Sequence, residues 1–205
     1  MLPLQEQFGD IDIYLFDQLL RGRIAPGMRI LDAGCGHGRN LVYLLRAGHE
    51  VYGVDEDAQA IEAVRRLAAS LAPGLSPANF RVEAVESMSF PAGFADVVIS
   101  SAVLHFARDT RQFENMVRAM WAVLRPAGLL FCRLASSIGI ESRIQPIAGN
   151  RFRLPDGSER YLVNEEILSR LAKDLDATQL DPLKTTVVQN RRAMTTWVLG
   201  KAQPG

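Results

Sequence analysis

Three glycines alternate with other residues in one short segment of the chain, at Gly34, Gly36 and Gly38. The segment follows an apolar run at 29–33 and leads into a helical pattern at 38–47, so it joins a buried strand to a helix. Glycines at such a turn accept positive φ and let a ligand come close to the backbone. Amide groups at the start of a helix can also face an anionic group. We therefore expect this loop to bind a ligand.

The spacing of the glycines separates this loop from two common nucleotide-binding loops. A dinucleotide-binding loop has the pattern G-x-G-x-x-G. When the count begins at Gly34 or Gly36, Arg39 or Leu41 occupies the third glycine position. The loop also lacks the Lys-Ser/Thr ending of a P-loop. The missing glycine therefore argues against a nicotinamide-dependent oxidoreductase, which we retain as a rival interpretation.

An acid ends the next predicted strand, where Asp55 closes the string VYGVD. A carboxylate at this point of an α/β sheet can accept hydrogen bonds from both hydroxyls of a ribose. Each charge-assisted hydrogen bond of this kind contributes roughly 1.5–3 kcal/mol. The alternative is that Asp55 caps the following helix, but Asp57 already suits that position. We therefore expect Asp55 to bind a ribose.

Apolar strand patterns alternate with helical patterns from residue 29 to residue 134. This alternation predicts right-handed crossovers and a parallel sheet. The pattern stops at 135–163, where the string PDG at 155–157 predicts a turn between two short extended pieces and hence an inserted hairpin or lid. Two later strands, 183–189 and 193–200, have a short link and must be antiparallel.

These patterns predict one α/β domain over residues 1–205. Its sheet is expected to be doubly wound, mostly parallel, seven-stranded and Rossmann-like, with an antiparallel strand pair near the end of the chain. Residues 1–24 are expected to supply an N-terminal cap helix. Helix N-caps are expected at Asp57, Thr110 and Asn164.

The composition argues against several classes of protein. The chain carries 23 basic and 23 acidic side chains, so binding to nucleic acid through phosphate neutralisation is not expected. Its two cysteines form no C-x-x-C pair, and we expect no metal site. The sequence shows no secretory signal and no apolar run of roughly 18 residues, so we expect no membrane contact and a cytoplasmic location. Monomer and homodimer both remain open.

A known family shares three strings of this sequence: LDAGCGHGRN at 31–40, VDED at 54–57 and FADVVISSAVLHF at 94–106. On these strings the chain resembles the class I S-adenosylmethionine (SAM)-dependent methyltransferases. More narrowly, GHGRN followed by YLLRAGHEVYGVDED is similar to the tellurite-resistance-type subgroup. The resemblance implies that SAM is the cofactor and that S-adenosylhomocysteine is its product.

The resemblance also implies which residues hold the methionine part of SAM. Asp32 matches the acid that orients this part through its amino group, and Arg39 and Asn40 are candidates for its carboxylate end. Ser101, or its neighbour Ser100, matches the strand end where a backbone carbonyl meets the SAM amino group. The loop whose backbone lines the methionine part corresponds to Gly34, Cys35, Gly36 and Gly38.

For the adenosine part, the resemblance assigns the ribose to Asp55 and places Glu56 near the adenine. The family has an acid followed by a small residue after the third strand, flanking the adenine. Aligning from the strand puts Glu83 at the acid position, whereas aligning from the later string MSF puts Ala84 there. Both alignments stay open, and Val85 and Glu86 are expected nearby.

Methyl transfer is an in-line displacement in which the cofactor carries much of the reactivity. His105, after the fourth strand, is the best candidate for a general base if the acceptor must lose a proton. Tyr14, Arg133 and Arg143 are candidates for binding the substrate. We expect an oxygen, nitrogen or sulfur acceptor, or an inorganic oxyanion, on a small molecule. A non-catalytic SAM-binding module and an RNA or protein methyltransferase remain alternatives.

Overall fold

The computed structural model describes residues 3–203 and has a parallel sheet at its centre. The parallel strands stand in the order β5-β4-β1-β2-β3, so the chain reverses direction across the sheet between β1 and β4. This reversal is the switch point where open α/β sheets bind ligands. The five strands are β1 (Arg29–Ala33), β2 (Glu50–Asp55), β3 (Phe80–Val82), β4 (Ala95–Ser101) and β5 (Leu124–Ser136).

An inserted sheet follows β5. Its three antiparallel strands are β6 (Gln145–Ala148), β7 (Arg151–Arg153) and β8 (Glu159–Tyr161). The predicted hairpin is confirmed, because β7 and β8 are joined across the PDG turn; β6 adds a third strand. We call β6–β8 the lid sheet. It is fixed to the domain by Tyr161, whose ring stacks on Phe113 at 4.7 Å between centroids.

Antiparallel strands complete the central sheet on the β5 side. They are β9 (Ala177–Gln179), β10 (Lys184–Val188) and β11 (Arg192–Lys201). β11 lies between β5 and β10, and β9 also pairs with β11. The predicted antiparallel pair is confirmed, and the sheet has the seven expected strands plus the short β9.

Helices cover both faces of the sheet: α1 (Leu4–Phe8), α2 (Ile13–Leu20), α3 (Val42–Arg46), α4 (Ala58–Leu71), α5 (Thr110–Val123) and α6 (Glu165–Asp174). The expected caps at Asp57 and Asn164 are confirmed, since both side chains accept a backbone N–H of the first turn. The expectation for Thr110 is wrong. Asp109 caps α5 by accepting the backbone N–H of Gln112, because a carboxylate at that position reaches the free amides of the first turn.

Apolar side chains fill both sides of the sheet. Successive strand residues point to opposite faces, so Ile30 packs with α3 and α4 while Leu31 packs with α5. Burial on both faces explains why the parallel strands are near-continuous apolar runs. Within residues 3–203, no helix is both long and apolar enough to cross a membrane.

Candidate cofactor and substrate site

A cavity of about 550 Å³ opens at the carboxyl ends of β1, β2 and β4. It lies at the switch point of the sheet, beside the glycine loop that the sequence predicted to bind a ligand. Most of the predicted cofactor-binding residues line it: Gly34, Cys35, Gly36, Asn40, Asp55, Glu56, Glu83, Val85, Glu86 and Ser101. Three predicted residues, Asp32, Gly38 and Ala84, are not part of its wall.

The three loop glycines all have positive φ, but a side chain at each of them would have different surroundings. A Cβ at Gly34 (φ +86°) would lie 2.3 Å from Cγ2 of Val103, so this glycine permits the close approach of the segment after β4. A Cβ at Gly38 (φ +80°) would lie 2.8 Å from Cγ2 of Val64, so this glycine packs on α4 rather than facing the cavity. Gly36 (φ +51°) has open space beside it. Its backbone is therefore the part of the loop that a ligand can approach.

Asp32 is buried at the end of β1, with 1% of its surface exposed, and its Oδ1 atom has no hydrogen-bond partner among the described residues. Burial raises the pKa of this carboxyl to about 7, against the lowering effect of Arg39 and with a smaller raising effect of Asp55. A buried carboxylate oxygen without a donor is costly. A cationic ligand group at this point would supply the missing donor, so the residues fit the amino group of SAM.

Asp55 connects the glycine loop to β2. Its Oδ2 atom accepts the backbone N–H of Gly36 at 2.9 Å, and its Oδ1 atom accepts that of Asp57 at 3.0 Å. A carboxylate has about four lone-pair sites, so each oxygen can still accept a hydrogen bond from a ligand hydroxyl. Asp55 therefore holds the loop and can bind a ribose at the same time.

The acids after β3 are held by neighbouring side chains. Glu83 accepts hydrogen bonds from the backbone N–H of Ser89 at 2.8 Å and from its hydroxyl at 2.5 Å. Glu86 accepts one from Nε2 of Gln112 at 2.7 Å. Of the two alternatives for the adenine-flanking position, Glu83 lines the cavity and Ala84 does not.

Asn40 and Arg39 stand beside the methionine end of the predicted site. Asn40 is buried, and its Oδ1 atom accepts the backbone N–H of Asp12 at 2.9 Å, which ties the segment before α2 to the loop. Arg39 is exposed and donates from Nη2 to the hydroxyl of Ser101 at 2.8 Å. Both residues line the cavity, so both remain candidates for an anionic end of the ligand.

The geometry does not support His105 as a general base. The residue is 8% exposed and is not part of the cavity wall. Its Nδ1 atom accepts the backbone N–H of Ala135 at 3.3 Å. Burial, together with Arg160, lowers the pKa of the imidazole to about 4, so it is neutral at pH 7 and carries its proton on Nε2. No free lone pair is left to take a proton from an acceptor, and His105 instead fixes the backbone of β5.

The predicted substrate residues also lie away from the cavity wall. Arg133 pairs with Asp12, with 2.9 Å between Nε and Oδ2, and its guanidinium lies over the ring of Tyr14 at 4.7 Å. The hydroxyl of Tyr14 is hydrogen-bonded to Thr186 at 2.9 Å. These contacts fasten α2 to the central sheet. Arg143 is exposed in a short 3-10 helix before the lid sheet.

Several wall residues were not predicted from the sequence. They come from the glycine loop, from the segment after β4 and from α5: His37, Ala102, Val103, Phe106, Ala107, Gln112 and Met116. Ala102 has φ +66°, an uncommon conformation for a residue with a Cβ, and this positive φ marks the sharp turn after β4. The string SSAVLHF could have indicated this segment. Nothing in the sequence marks Gln112 and Met116 as wall residues, because their spacing is that of an ordinary amphipathic helix.

No group of three or more His, Cys, Asp or Glu side chains in residues 3–203 has the arrangement of a metal site. The cavity wall combines a glycine loop with a strand-end acid, and the buried carboxylate of Asp32, which lacks a donor for one oxygen among the described residues, precedes that loop by two residues. This fold and this site define a Rossmann-like domain that can hold a nucleoside cofactor with a cationic group.

Comparison with known proteins supports this class. Residues 31–132 match the family model described as a methyltransferase domain. A ubiquinone biosynthesis O-methyltransferase from Methylocella silvestris is 39% identical over 117 residues, which are 55% of this chain and 43% of that protein. A tRNA 5-carboxymethoxyuridine methyltransferase from Escherichia coli K12 is 28% identical over 65% of this chain and 50% of that protein. The chain thus spans about half the length of these curated relatives.

Solved structures share the fold. A SAM-dependent methyltransferase from Methanosarcina mazei superposes with a TM-score of 0.74 at 22% identity, covering 91% of this chain and 98% of that one. A 1,6-didemethyltoxoflavin-N1-methyltransferase from Burkholderia thailandensis, with bound S-adenosylhomocysteine, gives a TM-score of 0.69 at 19% identity over 92% and 76%. Residues 31–132 therefore match a methyltransferase domain, and the fold around them is that of solved SAM-dependent methyltransferases. The cofactor of this class is SAM.

Proposed function

We propose that this protein transfers the methyl group of SAM to a small molecule by in-line displacement. The observation that carries the proposal is the buried Oδ1 atom of Asp32, which lacks a donor among the described residues and stands two residues before the glycine loop that lines the cavity. A cavity of about 550 Å³ is of the size that small-molecule and cofactor sites have in proteins.

Different site residues bind the three parts of the proposed cofactor, which are its methionine end, its ribose and its adenine. Asp32 binds the amino group, and Arg39 or Asn40 binds the carboxylate. The backbone of Gly36 lines the chain between them and the ribose, whose hydroxyls donate to Asp55. The adenine lies near Glu83 and Val85, with Glu56 and Glu86 beside it.

When bound, SAM supplies an activated methyl group on a cationic sulfur. The chain orients the reacting groups and excludes water, and such alignment can contribute about 7–11 kcal/mol to lowering the barrier. The segment after β4, from Ser101 to Ala107, forms the wall that remains for the acceptor. This wall includes the apolar side chains of Val103 and Phe106.

For the acceptor, a small molecule with an oxygen, nitrogen or sulfur nucleophile fits a cavity of this volume and a chain without net charge. The similarity of residues 36–57 to the tellurite-resistance-type subgroup supports including an inorganic oxyanion among the acceptors to be tried. One relative is named as a tRNA methyltransferase, so an RNA acceptor belongs in the same screen.

Calorimetric titration of SAM and S-adenosylhomocysteine tests the cofactor assignment. Wild type should bind both at micromolar concentrations, and Asp55→Ala should weaken binding about tenfold or more, because a charge-assisted hydrogen bond is lost. Asp57→Ala is the matched control: it removes an exposed carboxylate two residues away that caps α4 and does not line the cavity. A folded wild type that binds NAD and neither of these ligands would contradict the proposal.

A further inference from the structure

The segment after β4 and helix α5, which form the wall left for the acceptor, contribute no side chain that could remove a proton. The acids in the wall stand at the end of β2 and after β3, on the side proposed for adenosine, and the last of them, Glu86, accepts a hydrogen bond from Gln112 of α5 at 2.7 Å. The segment after β4 and helix α5 contribute Ser101, Gln112 and otherwise apolar side chains to the wall. His105 lies in the same segment, but its lone pair is engaged by the backbone N–H of Ala135; His37, which also lines the cavity, belongs to the glycine loop. An acceptor that packs on this wall needs no base if it is already nucleophilic, as an ionised acid or a neutral amine is.

A cation of the lid sheet favours the ionised acid. Arg160 lies on β8 just outside the cavity wall, with its guanidinium 4.9 Å from the ring centroid of Phe106, a wall residue that is 62% exposed. Nη1 donates to the backbone carbonyl of Glu159, whereas Nε and Nη2 have no acceptor among residues 3–203. The other arginines of the lid sheet, Arg151 and Arg153, both pair with the Glu159 carboxylate. Arg160 is thus the lid-sheet arginine without a carboxylate within 4 Å in the described part of the chain.

We propose that the acceptor is an organic carboxylate on an apolar body, that Arg160 binds its charge, and that the carboxylate oxygen receives the methyl group. This inference rests on the proposed function. Arg160 donates to one oxygen of the carboxylate, and the apolar body packs on Phe106 and Val103. A guanidinium suits this contact because it keeps its charge at every working pH and offers several N–H donors, of which Nε and Nη2 have no acceptor among the described residues.

The step balances without a base. A lone pair of the carboxylate oxygen forms the bond to the methyl carbon, and the bond from that carbon to the cofactor sulfur breaks with its electron pair remaining on sulfur. The products are a methyl ester and S-adenosylhomocysteine, and no proton is released. The absence of a base from this half of the wall is therefore compatible with turnover.

Benzoate and benzamide, which differ in charge and share an apolar ring, are the probes for this inference. Each is titrated into the protein saturated with S-adenosylhomocysteine. Benzoate should bind about tenfold or more tightly than benzamide, since a charge-assisted hydrogen bond contributes at least that factor. Arg160→Gln should remove this preference while leaving the affinity for S-adenosylhomocysteine unchanged. Arg153→Gln is the matched control on the same sheet and should retain the preference, because Arg153 is paired with Glu159 and exposed.

Turnover with SAM then tests the ester assignment in a mixture of benzoate, phenol and aniline. Methyl benzoate should form in excess of anisole and N-methylaniline. Equal binding of benzoate and benzamide, an Arg160→Gln variant that keeps the preference, or a mixture that yields no methyl benzoate would each overturn the inference. If S-adenosylhomocysteine itself fails to bind, the proposed function is what has failed, and this separate outcome is visible in the first titration.

Discussion

Replacing Asp32 with asparagine tests two expected effects of its buried carboxylate. The carboxylate should lower the stability of the ligand-free protein as it ionises, and it should strengthen the binding of SAM. Asp32 is 1% exposed, its Oδ1 atom lacks a donor among residues 3–203, and burial raises its pKa to about 7. An acid whose pKa is higher in the folded than in the unfolded state destabilises the fold as it ionises. The cost therefore begins near the unfolded pKa of about 4, grows with rising pH, and is complete above about 7.

The magnitude follows from the two pKa values. With a folded pKa of about 7 and an ordinary value of 3.8, the ionisation of Asp32 lowers the free energy of unfolding by roughly 4 kcal/mol at pH 8 and by roughly 2 kcal/mol at pH 5. The unpartnered amide of Asp32→Asn costs about 1–3 kcal/mol at both pH values. Between pH 5 and pH 8, the stability of the variant relative to wild type should therefore improve by about 2–3 kcal/mol.

Urea unfolding of the two proteins without ligand, at both pH values, measures this difference. The same substitution should weaken SAM binding about tenfold or more, because the amino group of the cofactor loses an ionic partner. Asp57→Asn is the control: asparagine caps a helix as well as aspartate does, so neither quantity should change. A relative stability of Asp32→Asn that stays constant with pH, together with wild-type affinity for SAM, would refute the reasoning.

Three further predictions concern the loop, the histidine and the pH dependence of binding. Gly34→Ala and Gly36→Ala both place a Cβ at positive φ and should lower the melting temperature, more so for Gly34→Ala, whose Cβ would also meet Val103. Gly36→Ala has open space beside it, so it should still fold but bind SAM more weakly, as thermal denaturation and calorimetry would show. His105→Asn should keep the turnover rate of wild type in a coupled assay for S-adenosylhomocysteine, because Oδ1 of asparagine can replace Nδ1 as the acceptor of the backbone N–H; a rate loss of a hundredfold or more would restore His105 as a base. SAM affinity should rise from pH 5 to about pH 7, because binding favours the ionised form of Asp32 and so releases a proton; calorimetry in buffers with different ionisation enthalpies would detect this proton, and proton uptake would contradict it.

The sequence predicted those parts of the fold and site that depend only on residues close together in the chain. The strands β1, β2 and β4 are apolar runs flanked by turn residues, and the glycine loop has φ values that favour glycine. Asp55 was predicted because an acid at the end of β2 has a known geometric consequence. These features depend on residues close together in the chain, so their spacing is enough to identify them.

Features that depend on distant residues could not be predicted. Arg133 was a candidate for binding the substrate, but its charge is paired with Asp12, which is far away in sequence. His105 follows β4 as a base would, yet its ring turns to the backbone of β5. Gln112 matches a helix surface and reaches the cavity only because α5 packs beside the segment after β3. In each case the deciding contact joins elements whose approach is set by the folded sheet.

Methyl transfer itself is the most direct test of the account. The protein is incubated with SAM carrying a deuterated methyl group and a pool of small-molecule acceptors, and products are followed by mass spectrometry. The account predicts that the labelled methyl appears on a small molecule in step with S-adenosylhomocysteine. At a SAM concentration below saturation, Asp55→Ala should lower both about tenfold or more, whereas Asp57→Ala should retain both. Tight binding of SAM without transfer to any acceptor would contradict it and would indicate a SAM-binding module without catalytic activity.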